Sequence, residues 1–391
     1  LSSTTRRTAT AALTAAAVAA ALVTAPAARA APSRLHDAVH RAVDAAGVPG
    51  VAVRVDDGGR VVETAHQARW TLADHRLRAG DRFKMASNTK TVTATVALQL
   101  DAEGALDLDD PVERWLPGTV PDGGAITVRM LLNQTSGLFD YLDDPRLLGL
   151  LTGRAPRPWP PAELVAVAVS HPPLFAPGER WDYSNTNYTL AGMVVERAAG
   201  RPYADLVRQR ITGPLGLRDT HLSTEAAFRG AHGYEPDAGH LAPLLPPGTP
   251  VGDGFAGPER HDHVDTTGID LGPAWAAGGL VSTARDWQRF LTALLSGRLL
   301  PAAQLAELLD TVPQGTGDGY GLGVMEVRTP CGAVWGHSGG FPGYRSHNYA
   351  DRAGRRAVTV LLTTTFGLRA PEAAAAEREL VEAAVCRMYG R

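Results

Sequence analysis

The spacing of apolar positions changes along the chain, and the changes divide it into segments. From Leu35 to Ala46 apolar residues recur at helical spacing, and Gly47 ends the run. Val51-Ala52-Val53-Arg54-Val55 and Arg60-Val61-Val62-Glu63-Thr64 flank Asp56-Asp57-Gly58-Gly59, a pattern that predicts a β-hairpin. A long helix is expected from Ser87 to Glu103, with Val92, Val96 and Leu100 on one stripe and Gly104 just past its end. In the middle third, helical patterns at Val128–Leu132, Ala162–Ser170, Thr186–Ala199 and Tyr203–Arg210 alternate with Pro- and Gly-rich loops such as Pro156–Pro161. The stretch from Gly230 to Pro258 has no clear period and reads as a surface excursion. Helices return at Ala284–Leu295 and Pro301–Leu309. Strands follow at Tyr320–Val327, Ala333–His337, Tyr344–Tyr349 and Ala357–Thr364, and a closing helix runs from Pro371 to Tyr389.

Strand patterns at both ends with helices between them predict an α+β fold, an antiparallel β-sheet flanked by helices. Its α/β part is expected over about residues 31–105 and 270–391, and an all-helical part over about 106–269.

Composition narrows the class. Arg6 and Arg7 precede an apolar run from Ala11 to Val23 and an Ala28-Arg29-Ala30 site, so residues 1–30 are expected to be a signal peptide and the mature chain to be secreted. No later stretch has the roughly eighteen uninterrupted apolar residues of a membrane span. A formal charge of −3 with mixed signs gives no reason to expect nucleic acid as a partner. The expected partner is a small-molecule or peptide substrate, met by a monomeric chain. Cys331 and Cys386 are either bridged, which would tie a late strand to the last helix, or a pair of buried thiols.

Of 38 basic residues only Lys84 and Lys90 are lysines. Where arginine is the routine cation, a lysine points to something arginine cannot do, namely giving up its proton. Lys90 lies three residues after Ser87, one turn away on the same helical face, where an unprotonated amine could activate the hydroxyl. A helix N-terminus there would favour a developing alkoxide.

Two further clusters carry polar chemistry. Tyr183-Ser184-Asn185 precedes the Thr186 helix, and Tyr183 could move a proton if nearby cations lowered its pKa, while Asn185 offers both a donor and an acceptor. Trp335-Gly336-His337-Ser338-Gly339-Gly340 lies on a late strand whose glycines permit close approach by another backbone.

In order and spacing these elements resemble the S-x-x-K, Y-x-N and H-x-G motifs of the penicillin-recognising serine hydrolases. The likeness extends to Leu131-Leu132-Asn133-Gln134-Thr135-Ser136-Gly137-Leu138 and the Tyr-Gly-Leu-Gly at 320–323. It is greatest toward secreted D-alanyl-D-alanine carboxypeptidase/transpeptidases, relatives of class C β-lactamases. The resemblance implies an acyl-enzyme on Ser87, with Lys90 and Tyr183 sharing the proton transfers and the N–H groups of Ser87 and Gly340 forming an oxyanion hole. It places Asn185, His337, Ser338, Gly339 and Gly340 on the substrate, and Trp275 either on an aromatic wall or in the core. It implies no cofactor and no metal.

The implied activity is DD-carboxypeptidase/transpeptidase action on peptidoglycan peptides, with penicillin binding. The alternatives are the same chemistry on β-lactams, esters or D-amino-acid amides, and a non-catalytic β-lactam sensor. One departure bears on the choice. The arginine and hydroxyl that hold a terminal carboxylate in the carboxypeptidase branch align with Met325 and Gly340, leaving Arg328 or Arg345 as substitutes.

Gly336-x-Ser338-x-Gly340 also fits the nucleophile elbow of α/β-hydrolases, which needs a helix after the serine, whereas Tyr344–Tyr349 reads as a strand. His261-Asp262-His263 with Asp265 has metal-ligand residue types, but no third ligand at a recognisable spacing and reads as a solvated loop.

Overall fold

The structure is a computed structural model that describes residues 35–391 apart from 156, 224–227, 247–248, 250 and 316. The expected signal peptide lies outside the described residues.

The α+β layout is observed. Eight antiparallel strands form one sheet in the order Val61–Gln67, Gly50–Asp56, Ala357–Leu362, Tyr344–Ala350, Gly332–Phe341, Met325–Thr329, Gly319–Tyr320 and Val312–Pro313. The hairpin near the N-terminus therefore pairs with the last strand, Val53 facing Val360, and the two ends of the chain build one sheet. Both faces are covered. Val51, Val53 and Val55 pack with Val358, Val360 and Leu362 beneath the Leu35–His40 helix and the closing Pro371–Met388 helix. Ala52 and Leu361, one step along the pleat, join the opposite core with Trp287 and Phe290 of the Ala284–Leu295 helix. With both faces covered, every residue of Ala357–Leu362 is buried, and all but Thr359 are apolar.

The helix expected from Ser87 begins two residues later, at Thr89, and runs to Ala102 behind a 3₁₀ turn at Ala86–Asn88. It is buried around almost its whole circumference, so its threonines bond to backbone: Thr91 Oγ1 donates to Gly323 O at 2.7 Å and Thr93 Oγ1 to Ala276 O at 2.7 Å. The contact at Gly323 also divides the strand expected over Tyr320–Val327. There the chain takes φ +74 and bends against the helix, leaving strands at Gly319–Tyr320 and Met325–Thr329.

The segment expected to be all-helical is helical as far as Leu215 and again at Ala238–Leu241 and Ala242–Leu244, but strands lie between and after these helices. Short strands at His221–Leu222, Tyr234–Pro236, Glu259–Arg260 and His263–Asp265 then form parts of two three-stranded sheets. Gly230–Pro258 is likewise more than a surface excursion. Its Glu235 is fully buried and accepts hydrogen bonds from the backbone N–H of Gly343, Thr365 and Phe366 and from Thr364 Oγ1, holding the turn after the Gly332–Phe341 strand. Cys331 and Cys386 form a disulfide that ties the Thr329–Gly332 turn to the closing helix.

Candidate active site

The serine turn is held in an unusual backbone conformation. Ala86 has φ +48, a left-handed geometry that costs a residue with a Cβ roughly 1–3 kcal/mol. It turns the chain from the Phe83–Lys84 strand into the helix so that Ser87 lines a cleft. On the sheet side the Gly332–Phe341 strand lies so close that a Cβ on Gly339 would fall 2.3 Å from Met85 O. Asn88 fastens the contact, donating to Met85 O and Ser346 Oγ and accepting from Asn348 Nδ2.

Ser87, Lys90, Tyr183 and Asn185 converge. Tyr183 Oη donates to Ser87 Oγ at 2.7 Å, and Lys90 Nζ lies 3.2 Å from the same oxygen. The amine makes two shorter contacts, 2.8 Å to Asn185 Oδ1 and 2.7 Å to Ala277 O. Burial pushes Lys90 down from the usual ammonium range to about 7, with the charge of Asp140 opposing the shift. A neutral amine has two N–H donors for the two shorter contacts and a lone pair left for the serine hydroxyl. Burial acts on Tyr183 in the opposite sense and raises it well above 10, so it is a neutral phenol and not a standing phenolate. The fall in its pKa that would have made it a base does not occur.

Asp140 is the residue sequence reasoning missed. Buried, it accepts from Asn185 Nδ2 at 2.8 Å and Asn185 N at 3.1 Å, and so aims Asn185 Oδ1 at Lys90. It lies two residues beyond the 131–138 run, which itself grips the start of the Asn185–Ala199 helix: Gln134 Oε1 accepts from Ser184 N and Asn187 Nδ2.

The other expected site residues divide. Gly340 lines the cleft and Gly339 provides the close approach. His337 is buried behind the site, bonded to Tyr320 Oη at 3.0 Å and to Ser338 O, and burial lowers it to about 3, so it is a neutral wall. Ser338 points to the other face of the pleat and does not line the cleft. Because it lies within a continuous antiparallel strand, the elbow geometry is absent. Trp275 also turns away from the cleft: its ring packs edge-on against Tyr203, with centroids 5.4 Å apart, and over Gly192. Its backbone has φ +35 and leads to the Ala277 carbonyl that Lys90 uses.

Met325 is a buried strand residue. Arg345 reaches within 3.7 Å of the Cβ position of Gly340, but its Nε is tied to Glu377 at 2.8 Å, whereas Arg328 is exposed near the far end of its strand. His261 pairs with Asp262, the His263 ring lies 4.9 Å from that of Trp70, and Asp265 pairs with His232, so these residues do not converge on one point. No described helix is long and apolar enough to cross a membrane.

Comparison with known proteins agrees with this geometry. Penicillin-binding protein 4* of Bacillus subtilis is 30% identical over 286 residues, 68% of this chain, which spans 57% of that protein's length. Esterase EstB of Burkholderia gladioli is 31% identical over 326 residues, covering 76% of this chain and 82% of the esterase. Among solved structures, a D-stereospecific amidohydrolase from Streptomyces sp. superposes with a TM-score of 0.75 at 38% identity, covering 90% of this chain and 99% of that one. The Beta-lactamase family model matches residues 35–383, and with it the chain belongs to the superfamily of serine β-lactamases and penicillin-binding proteins, which are serine hydrolases.

Proposed function

We propose that the chain hydrolyses small amides and esters of D-configured acyl groups through an acyl-enzyme on Ser87. The supporting observation is the cleft beside Ser87, which is mostly apolar and has no arginine or lysine among the described residues that line it. A carboxypeptidase needs a cation for its substrate's terminal carboxylate, and Met325 supplies none. The D-configuration comes from the amidohydrolase at 38% identity.

In this reading Ser87 Oγ bonds to the carbonyl carbon as Lys90 takes the hydroxyl proton, and the N–H groups of Ser87 and Gly340 receive the oxyanion. The Tyr183 phenol protonates the departing nitrogen or oxygen and recovers its proton from Lys90. A water then attacks the ester with the same groups in reverse roles. Asn185 keeps one N–H for the substrate, since its Oδ1 is used by Lys90 and its other N–H by Asp140.

A DD-carboxypeptidase reading is supported by the likeness to penicillin-binding protein 4* and by the position of Arg345 near Gly340. A turnover panel separates the two: a D-amino-acid amide, an acyl-D-Ala-D-Ala peptide, the C-terminal amide of that peptide, and a β-lactam. Preference for the free carboxylate over its amide would favour the carboxypeptidase. Export before action is part of the proposal and is supported by the Cys331–Cys386 bridge, which suits an oxidising compartment. Fractionation of expressing cells, with N-terminal sequencing of the product, tests it.

A further inference from the structure

Away from the cleft, the first described helix and the outermost strand of the large sheet bring three imidazoles around one carboxylate. His36, His40 and Asp44 stand four residues apart and so fall on one helical face. Asp44 lies on the widened turn Arg41–Ala45, closed by Ala46 N donating to Arg41 O at 3.0 Å, a π-type spacing that is frequent at functional sites. His66 arrives from the sheet. It is paired with Val51 across the strands, and cross-strand partners share a face, so His66 projects toward the helix that covers Val51.

Each oxygen of Asp44 meets a different ring. Its Oδ2 lies 3.2 Å from His40 Nδ1 and its Oδ1 lies 2.8 Å from His66 Nε2. The His40 ring centroid is 3.9 Å from that of His66 and 4.4 Å from that of His36. One ligand atom from each of His40, Asp44 and His66 lies within 4.8 Å of the other two. Atoms bonded to a single tetrahedral zinc at about 2.0–2.1 Å stand ~3.3 Å apart, so these groups are spaced to share an ion. Among the described residues no arginine or lysine pairs with Asp44, and the neighbouring Arg41 is turned to Glu379 at 2.7 Å. Asp74, His232 and Asp265 also lie together, but Asp74 Oδ1 accepts from Arg260 Nε at 2.6 Å, so a guanidinium already holds the place a cation would take.

We infer that His40, Asp44 and His66 form a binding site for a divalent transition-metal ion, zinc by donor type, that fastens the first helix to the outermost strand. Each histidine supplies a ring-nitrogen lone pair and Asp44 a negative oxygen, which leaves the fourth tetrahedral position to water or to His36 after rotation of its ring. The side chains of His40, Asp44 and His66 are 40%, 59% and 27% exposed, so an ion reaches them from solvent. The ion's work is mechanical. Val61–Gln67 is the edge of the eight-stranded sheet, and the ion would bridge it to a helix 22 residues earlier in the chain. No residue of either element lines the cleft.

The test uses the untagged full chain, stripped with EDTA and dialysed, with zinc chloride as the probe. Titration calorimetry should show one ion bound per chain with micromolar affinity, and saturating zinc should raise Tm by a few degrees. His66→Gln and Asp44→Asn should each weaken binding roughly tenfold or more and abolish the rise in Tm, while His232→Gln should change neither. Turnover should be the same in zinc and in EDTA. Absence of binding at millimolar zinc, binding that survives both substitutions, or binding lost only in His232→Gln overturns the site, and turnover that stops in EDTA overturns its mechanical role. A second measurement needs no variant: cobalt(II) added to the wild type should develop the intense visible bands of four-coordination and lose them when zinc is added, and the weak spectrum of hydrated cobalt would overturn the inference.

Discussion

Lys90 Nζ meets Ser87 Oγ at 3.2 Å, the longest of its three polar contacts, because Asn185 Oδ1 and Ala277 O take up its two neutral N–H groups. Protonation would direct a third N–H at the serine oxygen and convert an acceptor into a donor. With the Lys90 pKa lowered to about 7 by burial, kcat/KM is expected to rise with pH through that region and to collapse below it. Lys90→Arg stays protonated at every working pH, so acylation should fall by about 10³ or more and lose its acid limb. A pH profile of acylation in both proteins checks this; a wild-type profile flat from pH 5 to 9 would contradict it.

Ser87 and Ser338 both occupy positions that a sequence pattern offers as nucleophile, and only Ser87 lies on the cleft with two polar partners. Ser87→Ala should abolish turnover and covalent labelling. Ser338→Ala should leave both within a few fold of wild type. Intact-protein mass spectrometry after exposure to a fluorophosphonate measures the labelling directly, and a labelled Ser87→Ala protein would refute the assignment.

These two cases show what could be read from the chain and what could not. Lys90 and Ser87 are three residues apart, and the helix they begin imposes their proximity, so sequence alone suffices. Strand and helix periods likewise locate most elements because burial of a face is written locally. Asn185 and Ala277 meet at Lys90, and Asp140 at Asn185, from three separate segments, and no local spacing encodes that convergence. The Gly230–Pro258 stretch misled for a related reason. It has few apolar residues in any period, yet it contributes one carboxylate whose partners lie more than a hundred residues away.

Glu235 should be intolerant of its amide. Its Oε1 accepts from Gly343 N at 2.6 Å and Thr365 N at 2.8 Å, and its Oε2 accepts from Thr364 Oγ1 and Phe366 N, both at 2.9 Å. Glu235→Gln must turn an NH₂ toward donors on one side, leaving buried groups unsatisfied at about 1–3 kcal/mol. Chemical denaturation should show that loss, and turnover should fall with it, because the same turn holds the end of the Gly332–Phe341 strand beside the cleft. A midpoint equal to wild type would show that the network is dispensable.

The Cys331–Cys386 bridge joins residues 55 apart in sequence at the end of the strand remote from Gly340. Closing such a loop restricts the unfolded chain, and removing the bridge is expected to cost about 2–4 kcal/mol. A Cys331→Ala, Cys386→Ala protein should therefore melt several degrees lower while kcat at 25 °C changes little. Thermal unfolding compared with turnover distinguishes this purely stabilising role from one that shapes the site, which would lower kcat as well.

Gly339 tests whether the strand must touch the serine turn. A Cβ there would lie 2.3 Å from Met85 O and 2.7 Å from Asn88 Nδ2, and neither is the free end of a flexible side chain. Met85 O belongs to the backbone two residues before Ser87, and Asn88 is fixed by Ser346 and Asn348, so relief requires the strand and the turn to separate. Separation moves Gly340 away from Ser87, and with it the N–H that completes the proposed oxyanion hole, a loss worth about 10²–10³ in rate where one such donor is removed. Gly339→Ala should therefore lower kcat by that order and destabilise the fold at the same time. Gly124→Ala, where a Cβ meets nothing within 4 Å, controls for the substitution itself and should change neither. If Gly339→Ala melts lower but keeps its kcat, the close approach serves packing alone and the oxyanion hole lies elsewhere.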